Sequence, residues 1–193
     1  LTAWCNLVFA DATANPLYYA QNLYLNNTLI TDLVIPEGIT RVGDYTFYGC
    51  KNLESVVIPQ NVTFIGREAF AHTEISALVF DGVSKINFIE QYAFTGTKNL
   101  KTVTLPASLT AMGTGVFMQS GLTSVNFENG ISLTEIPRNA FAETRLTSVS
   151  LPDSVVLVNH NAFNNVQTLE SVSFGNNDGI RLMSNAFYHT GLK

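Results

Sequence analysis

Hydrophobic and polar residues alternate in short phrases that return along the whole chain. Residues 55–73 (SVVIPQNVTFIGREAFAHT) and residues 149–163 (VSLPDSVVLVNHNAF) share an apolar strand-like run, a proline and a turn that ends in Ala-Phe. The apolar phrase L-x-x-V-x-I, or its equivalent, begins at Trp4, Ile30, Leu53, Ile75, Leu100, Leu122, Leu146 and Leu169, and again at Leu192. Starts lie 22 to 26 residues apart, a period that predicts stacked repeats forming a solenoid of about eight coils in one domain, 1–193, with a ninth coil beginning at 192.

A column of phenylalanines supports the same period. Its members follow one another at 22 to 24 residues, mostly after an alanine: Phe47, Phe70, Phe94, Phe117, Phe141, Phe163 and Phe187. We expect each to be placed in the core by a short helical or 3₁₀ turn. A hydroxyl residue three positions later closes the coil, and we expect these side chains to bond locally to the backbone: Thr73, Thr97, Thr144 and Thr190.

Each repeat begins with alternating apolar residues, which predict a short strand with one buried face. Two kinds of repeat alternate from Leu53 onward, one with proline after the strand and one with phenylalanine and a glycine-containing turn, giving a longer period of 46–47 residues. A single coil of about 23 residues cannot bury enough apolar surface to offset its ordering entropy. The coils are therefore expected to be stable only as an array, with their strands in one parallel sheet.

The first repeat departs from this pattern. Trp4, Leu7 and Phe9 fit a strand, but no Ala-Phe turn follows them. An insert at about 15–29 takes its place, and Asn26-Asn27-Thr28 between two apolar runs indicates a tight hairpin.

Composition removes several classes of function. The chain has 193 residues, 46% of them apolar, 13% charged, and a net charge of −5. Its ten basic residues are scattered, which argues against nucleic-acid binding. No apolar run reaches the ~18 residues of a membrane span, and no signal peptide is visible in a sequence that looks like a trimmed piece. Cys5 and Cys50 occupy different columns and are expected to be buried or half-buried thiols rather than a disulfide.

Residues 55–70 (SVVIPQNVTFIGREAF) and 102–117 (TVTLPASLTAMGTGVF) resemble the BspA-like, type 5, leucine-rich repeats, and the resemblance covers nearly the whole chain. It implies a β/α solenoid, a right-handed superhelix with a parallel concave sheet and short helical turns on the convex side. It also implies a surface or secreted protein that binds proteins or glycans, with no catalytic residues to carry over.

Residues between the buried anchors of each strand face away from the core. Near the amino terminus these outward positions include the predicted binding residues Val8, Asp32, Val34, Ser55, Val57, Ala77 and Val79. In the second outward column, four valines give way to Thr104, Asn126, Ser150 and Ser173. The valines admit three interpretations: an exposed contact patch, simple β propensity, or a surface covered by the inserted hairpin.

Other candidate sites are weaker. Asp32, Glu54 and Glu37 could mimic a glycosidase carboxylate pair, but repeats of this type lack a deep cleft. His72 and His189 share a column yet lie five coils apart, too far to share a metal. Tyr18, Tyr19 and Tyr24 could form a sugar platform, although packing of the hairpin against the stack is the simpler interpretation.

The sequence therefore predicts a non-catalytic adhesion module without cofactor or metal. It would be located at the cell surface or secreted, and would recognise an extracellular protein or glycan through the sheet face. The alternative is a passive spacer that presents another domain. The unfinished coil at Leu192 also suggests an end-to-end self-contact.

Overall fold

The computed structural model describes all 193 residues and shows a solenoid of seven coils behind an amino-terminal segment. Each coil begins with a longer strand whose residues alternate between buried and outward-facing positions. These longer strands are β3 (Asp32–Val34), β5 (Ser55–Ile58), β7 (Ala77–Phe80), β9 (Thr102–Leu105), β11 (Ser124–Phe127), β13 (Ser148–Ser150) and β15 (Ser171–Ser173). The predicted parallel β-solenoid is confirmed by this arrangement.

A second strand in every coil was not predicted. These strands have two residues each: β4 (Arg41–Val42), β6 (Phe64–Ile65), β8 (Phe88–Ile89), β10 (Ala111–Met112), β12 (Glu135–Ile136), β14 (Leu157–Val158) and β16 (Arg181–Leu182). They form two parallel sheets of adjacent coils, β4-β6-β8-β10 and β12-β14-β16, with no pairing between β10 and β12. The chain therefore reverses direction through short paired strands rather than through an irregular bend, and this pairs more of the backbone in each coil.

The phenylalanine column forms the centre of the fold. Rings of successive coils stack with centroids 5.1–5.7 Å apart and planes within 15° of each other. All but Phe187 are completely buried. The amide of each phenylalanine from Phe47 to Phe163 donates to a carbonyl of the next coil at 2.8–2.9 Å. One column thus contributes both offset aromatic stacking and a hydrogen-bond ladder that runs along the whole solenoid.

The segments that carry these phenylalanines are turns and contain no helix. In every coil the residues two before and two after the phenylalanine have positive φ, as at Tyr45 and Gly49 or Glu68 and His72. Two left-handed residues four positions apart cannot belong to a right-handed helix. The prediction that these turns are helical or 3₁₀ is therefore wrong, although each turn does carry its phenylalanine into the core. The predicted hydroxyl bonds are confirmed, because Thr73, Thr97, Thr144 and Thr190 each donate to the carbonyl of the phenylalanine three residues earlier at 2.8–2.9 Å.

The amino-terminal segment covers the first coil instead of forming another one. It contains α1 (Thr2–Cys5), a 3₁₀ turn (Ala12–Ala14), α2 (Leu17–Ala20), and the antiparallel hairpin β1 (Tyr24–Leu25) and β2 (Thr28–Leu29). The hairpin prediction is confirmed, whereas the strand expected at Trp4 is absent because that residue lies in α1. Trp4 Nε1 donates to Thr46 O at 2.9 Å, and Asn15 Nδ2 donates to Tyr45 O and Thr46 O at 2.6 and 3.1 Å. These bonds hold the segment against the Phe47 turn.

The sheet of longer strands is interrupted twice. It consists of three hydrogen-bonded blocks, β3-β5-β7, β9-β11 and β13-β15. Both breaks follow a coil of the glycine-turn type, in which seven residues (81–87 and 128–134) connect the two strands, against five (59–63 and 106–110) in the proline type. The longer connections widen these coils on the strand side, while the phenylalanine ladder keeps the opposite side closed. The 46–47-residue period in the sequence thus marks where the sheet opens.

Candidate binding surfaces

The outward positions of β3, β5 and β7 place three valines side by side. Val34 pairs with Val57, and Val57 pairs with Val79, in the parallel register of these strands. Val34 is 58% exposed, Val79 is 48% exposed, and Val57 between them is half-buried. We call these three residues the valine row. It is a continuous aliphatic strip across three coils of a rigid, hydrogen-bonded sheet.

Val8 does not belong to the valine row. It is 94% exposed but lies outside any strand, in the stretch after α1 that borders Arg41 of β4 and the nearby Asp44. The repeat phrase placed it in the row because Trp4, Leu7 and Phe9 have the right spacing. Residues 1–9 are not followed by the Ala-Phe turn that would bring them into register with β3. Val8 therefore lies outside the sheet, although its spacing matches the repeat.

A polar row runs beside the valine row on the same strands. Asp32 pairs with Ser55, and Ser55 with Ala77. The Ser55 hydroxyl donates to Asp32 Oδ1, and the Thr31 hydroxyl donates to Asp32 Oδ2 at 3.0 Å. Hydrogen bonds from Ser55 first, and then from Thr31, lower the pKa of the exposed Asp32 carboxyl. The predicted residues Asp32, Val34, Ser55, Val57, Ala77 and Val79 therefore lie together on one face.

The hairpin does not cover the valine row. It is attached at the entrance of the second coil, where Asn52 Oδ1 accepts a bond from Leu23 N at 2.9 Å and Lys51 N donates to Gln21 O at 2.6 Å. Val34, on the strand nearest to it, remains the most exposed member of the row. Farther along the solenoid, the same column continues as Thr104, Asn126, Ser150 and Ser173, all exposed.

Two cavities at the sheet breaks were not predicted. One of about 230 Å³ lies between β7 and β9 and includes Val79 and Thr104 in its lining. The other, of about 550 Å³, lies between β11 and β13 and is lined by Asn126, Glu128, Ser150 and Asp153 among others. Their acids already bond to backbone amides: Glu128 Oε2 accepts from Ala107 N at 2.8 Å, and Asp153 Oδ1 from Asn176 N at 2.9 Å. The sequence carried one signal for these cavities: the longer, glycine-containing connection after the strand in every second repeat.

The carboxylate candidates do not form a catalytic pair. Asp32 is on the polar row, and Glu54 does not line any cavity with it. Glu37 instead borders a cavity of about 270 Å³ with Asp81 and Gln60. Glu37 and Asp81 are both exposed. Neither therefore has the dry, apolar surroundings in which a glycosidase keeps its general acid protonated.

The structure contains no cluster of metal-ligating side chains and no reactive thiol site. No three His, Cys, Asp or Glu side chains come together in a metal-binding group. Cys5 and Cys50 are buried free thiols. Burial raises the pKa of each to about 11, so the nucleophilic thiolate form is suppressed.

An aromatic cluster on the turn side is a further surface that sequence reasoning found only in part. Tyr18 and Tyr19 of α2 join Tyr45 and Tyr48 of the first coil and His72 of the second. Tyr24, which the sequence grouped with Tyr18 and Tyr19, lies in β1 and makes no ring contact with them. The spacing of one repeat brings Tyr48 beside His72, and this was the signal available in the sequence.

Comparison with known proteins gives a consistent result. A family model described as the BspA type leucine rich repeat region (6 copies) matches residues 20–142 and 134–193. The fold is similar to that of the pneumococcal vaccine antigen PcpA, with 21% identity, a TM-score of 0.60, and coverage of 82% of this chain and 48% of PcpA. A leucine-rich repeat protein from Eubacterium ventriosum has 21% identity and a TM-score of 0.59 over 94% of this chain and 56% of that protein. The T. pallidum protein TpLRR has 23% identity and a TM-score of 0.63 over 79% and 73% of the two chains.

This chain spans about half the length of the first two of these structures. Comparison with curated proteins finds no significant match. None of the helices is long and apolar enough to cross a membrane.

Proposed function

Because this chain belongs to the BspA type leucine-rich-repeat family, we propose that it is a non-catalytic binding module that contacts a partner through the valine row. The observation that carries the proposal is the paired register of Val34, Val57 and Val79, with two of the three about half exposed. A contiguous apolar strip on a soluble surface costs solvation free energy and commonly marks a contact. Isolated exposed valines would need no explanation.

The row favours a protein partner over a glycan at this face. Its outward side chains are aliphatic and offer no hydrogen bonds, whereas sugar hydroxyls need donors and acceptors. The adjacent Asp32–Ser55 pair supplies a polar margin with a fixed carboxylate. An apolar centre bordered by polar groups is the usual composition of a protein–protein interface.

We place the module outside the cell, as a surface or secreted adhesion protein. The similarity to PcpA, described as a vaccine antigen, supports this location. Trypsin treatment of intact source cells should remove a surface form, and antibody against the chain should label those cells without permeabilisation. Labelling only after permeabilisation would contradict the proposal.

The binding test uses Val57→Lys, which puts a charge in the middle of the row. The chain is applied to an array of extracellular-matrix proteins and to a glycan array. We expect a protein hit for the wild type and at least a tenfold loss for Val57→Lys. Ser150→Lys, at the matching outward position of β13, is the control and should bind as the wild type does, and both variants should melt close to it.

Retained binding by Val57→Lys would reject the valine row as the contact surface. A spacer role is the alternative, and the unbroken phenylalanine ladder supports it because the ladder gives the solenoid a stiff spine. In that case neither array yields a hit that depends on the row.

A further inference from the structure

Five aromatic side chains at the amino-terminal end of the turn side form one contiguous surface, which we call the turn-side aromatic cluster: Tyr18, Tyr19, Tyr45, Tyr48 and His72. Tyr18 stacks on Tyr48 at a centroid distance of 5.8 Å with planes 17° apart. Tyr19 meets Tyr18 edge-on at 5.0 Å, Tyr45 meets Tyr48 at 6.4 Å, and His72 meets Tyr48 at 5.5 Å. The amino-terminal segment and the first two coils therefore build it jointly.

The cluster is open to solvent although its rings are held in place. Tyr19 is 75% exposed and Tyr18 is 39% exposed, while Tyr45, Tyr48 and His72 are half-buried. Tyr45 and His72 have φ values of +60° and +59°. Left-handed backbone disfavours side chains other than glycine, and at the His72 position the neighbouring coils have Gly49 and Gly96. The same two turn positions carry side chains with positive φ in other coils, as at Tyr92 and His189, so this backbone is general to the turn and fixes the direction in which the rings leave it.

Glu68 supplies the polar group of this surface. It occupies the same turn position in the second coil that Tyr45 occupies in the first, again with positive φ. The side chain is half-buried, and its carboxylate oxygens are not among the buried side-chain atoms that lack a partner, so they are open to solvent and to a ligand. Tyr45 N donates to Arg67 O and Phe47 N to Ala69 O, both at 2.8 Å, so Glu68 lies in the adjacent coil directly beside the turn that carries Tyr45 and Tyr48. Burial first, and then the Glu68 charge, raise the pKa of Tyr48. A carboxylate that is partly shielded from water beside aromatic rings gives strong, charge-assisted hydrogen bonds to donors on a ligand.

The charged residues around the cluster indicate whether a cationic or a neutral ligand fits it. Arg67 is near enough to Glu68 to oppose the burial that raises the Glu68 pKa. Lys51 and Lys98 lie near His72 and, together with burial as the main cause, lower its pKa. Lys51 is paired with Glu74 at 3.3 Å, but a cationic ligand would still meet the positive charges of Arg67 and Lys98. A neutral ligand with hydroxyl donors and apolar C–H faces avoids that repulsion, bonds to the carboxylate and lies against the tyrosine rings.

We propose that the turn-side aromatic cluster and Glu68 form a binding site for a neutral oligosaccharide, separate from the valine row. Sugar rings lie on Tyr19 and Tyr18, the two most exposed rings. A pair of sugar hydroxyls donates to the Glu68 carboxylate, and the neutral His72 imidazole offers a further bond. The site is on the turn side of the solenoid, so it acts independently of a partner on the strand face.

The test is isothermal titration of the 193-residue chain with maltohexaose, cellohexaose, mannohexaose and chitohexaose. We expect one or more of these sugars to bind the wild type. Glu68→Gln should weaken that binding about tenfold, since a charge-assisted bond becomes a neutral one. Tyr19→Ser should weaken it at least fivefold. Tyr24→Ser, at an exposed tyrosine outside the cluster (60% exposed), should stay within twofold of the wild type, as should Val57→Lys.

Three results would overturn the proposal: binding of none of the four sugars, equal binding by wild type, Glu68→Gln and Tyr19→Ser, or Glu68-dependent binding of tetramethylammonium in their place. Circular dichroism of each variant accompanies the titrations. Tyr19→Ser changes only a solvent-exposed side chain, so it still tests the site if Glu68→Gln is poorly folded.

Discussion

Phe94 and Phe117 are 23 residues apart in the chain, yet their rings stack at a centroid distance of 5.4 Å with planes 9° apart. The amide of Phe94 also donates to the carbonyl of Val116, the residue before Phe117, at 2.9 Å. The same two contacts recur between adjacent coils from Phe47 to Phe187. The stability of the solenoid therefore depends on ring stacking and hydrogen bonds between adjacent coils more than on contacts within one coil.

The first prediction concerns this column. Phe94→Ala removes a fully buried ring with neighbours on both sides, so we expect a loss of about 3–5 kcal/mol in the free energy of unfolding. Phe187 is half-buried and stacks on one ring of the column. Phe187→Ala should cost only about 1–2 kcal/mol. Urea denaturation followed by circular dichroism measures both, and equal losses would contradict a cooperative column.

The second prediction uses the hydroxyl that closes each coil. Thr97 Oγ1 donates to Phe94 O at 2.8 Å, and Thr97→Val keeps the shape but loses that bond, which should cost about 1 kcal/mol. Ser120 occupies the same position in the next coil, is buried, and its hydroxyl has no partner. Ser120→Ala should therefore be neutral or slightly stabilising. A larger loss for Ser120→Ala than for Thr97→Val in thermal denaturation would show that the hydroxyl bonds are not what holds these turns.

The third prediction compares two glycines that differ only in their surroundings. A Cβ atom on Gly113 would come 2.2 Å from the backbone nitrogen of Gln91 in the preceding coil, whereas one on Gly38 would meet nothing within 4 Å. Gly113→Ala forces adjacent coils apart and should cost about 1–3 kcal/mol. Gly38→Ala should be neutral or stabilise by up to about 1 kcal/mol, because it restricts the unfolded chain. Chemical denaturation of the two variants provides the comparison, and equal stabilities would disprove close approach at Gly113.

Much of the architecture could be predicted because its signal is periodic. The phenylalanine column, the outward position of Val34, Val57 and Val79, and the bonds of Thr73 and Thr97 all follow from repeated spacing. The hairpin could be predicted because Asn-Asn-Thr carries local turn chemistry, and both Asn26 and Asn27 have positive φ.

The remaining features depend on information that spacing does not contain. Positive φ at Glu68 or Gln119 is imposed by the stack, since neither residue favours that conformation alone. Trp4 follows the repeat spacing, but its indole is fixed by a bond to Thr46 O, a partner 42 residues away. The turn-side aromatic cluster combines an insert with two coils, so no single repeat reveals it.

The fourth prediction concerns pH and His72. Burial first, and then Lys51 and Lys98, lower the His72 pKa below 6.5 in the folded chain. The unfolded chain therefore binds the proton more readily. Full stability is present above about pH 6.5 and is lost as the pH falls from there through the folded pKa.

His72→Gln should flatten this dependence, and Gln119 shows that glutamine fits the same turn position with a φ of +59°. His189→Gln is the matched control, because His189 is exposed at the corresponding position of the seventh coil. Free energies of unfolding from urea titrations at pH 8.0, 7.0, 6.0 and 5.5 measure the slopes. We expect the wild type and His189→Gln to lose stability in parallel as the pH falls, with a shallower slope for His72→Gln. Three identical slopes would show that His72 is as easily protonated in the folded chain as in the unfolded one.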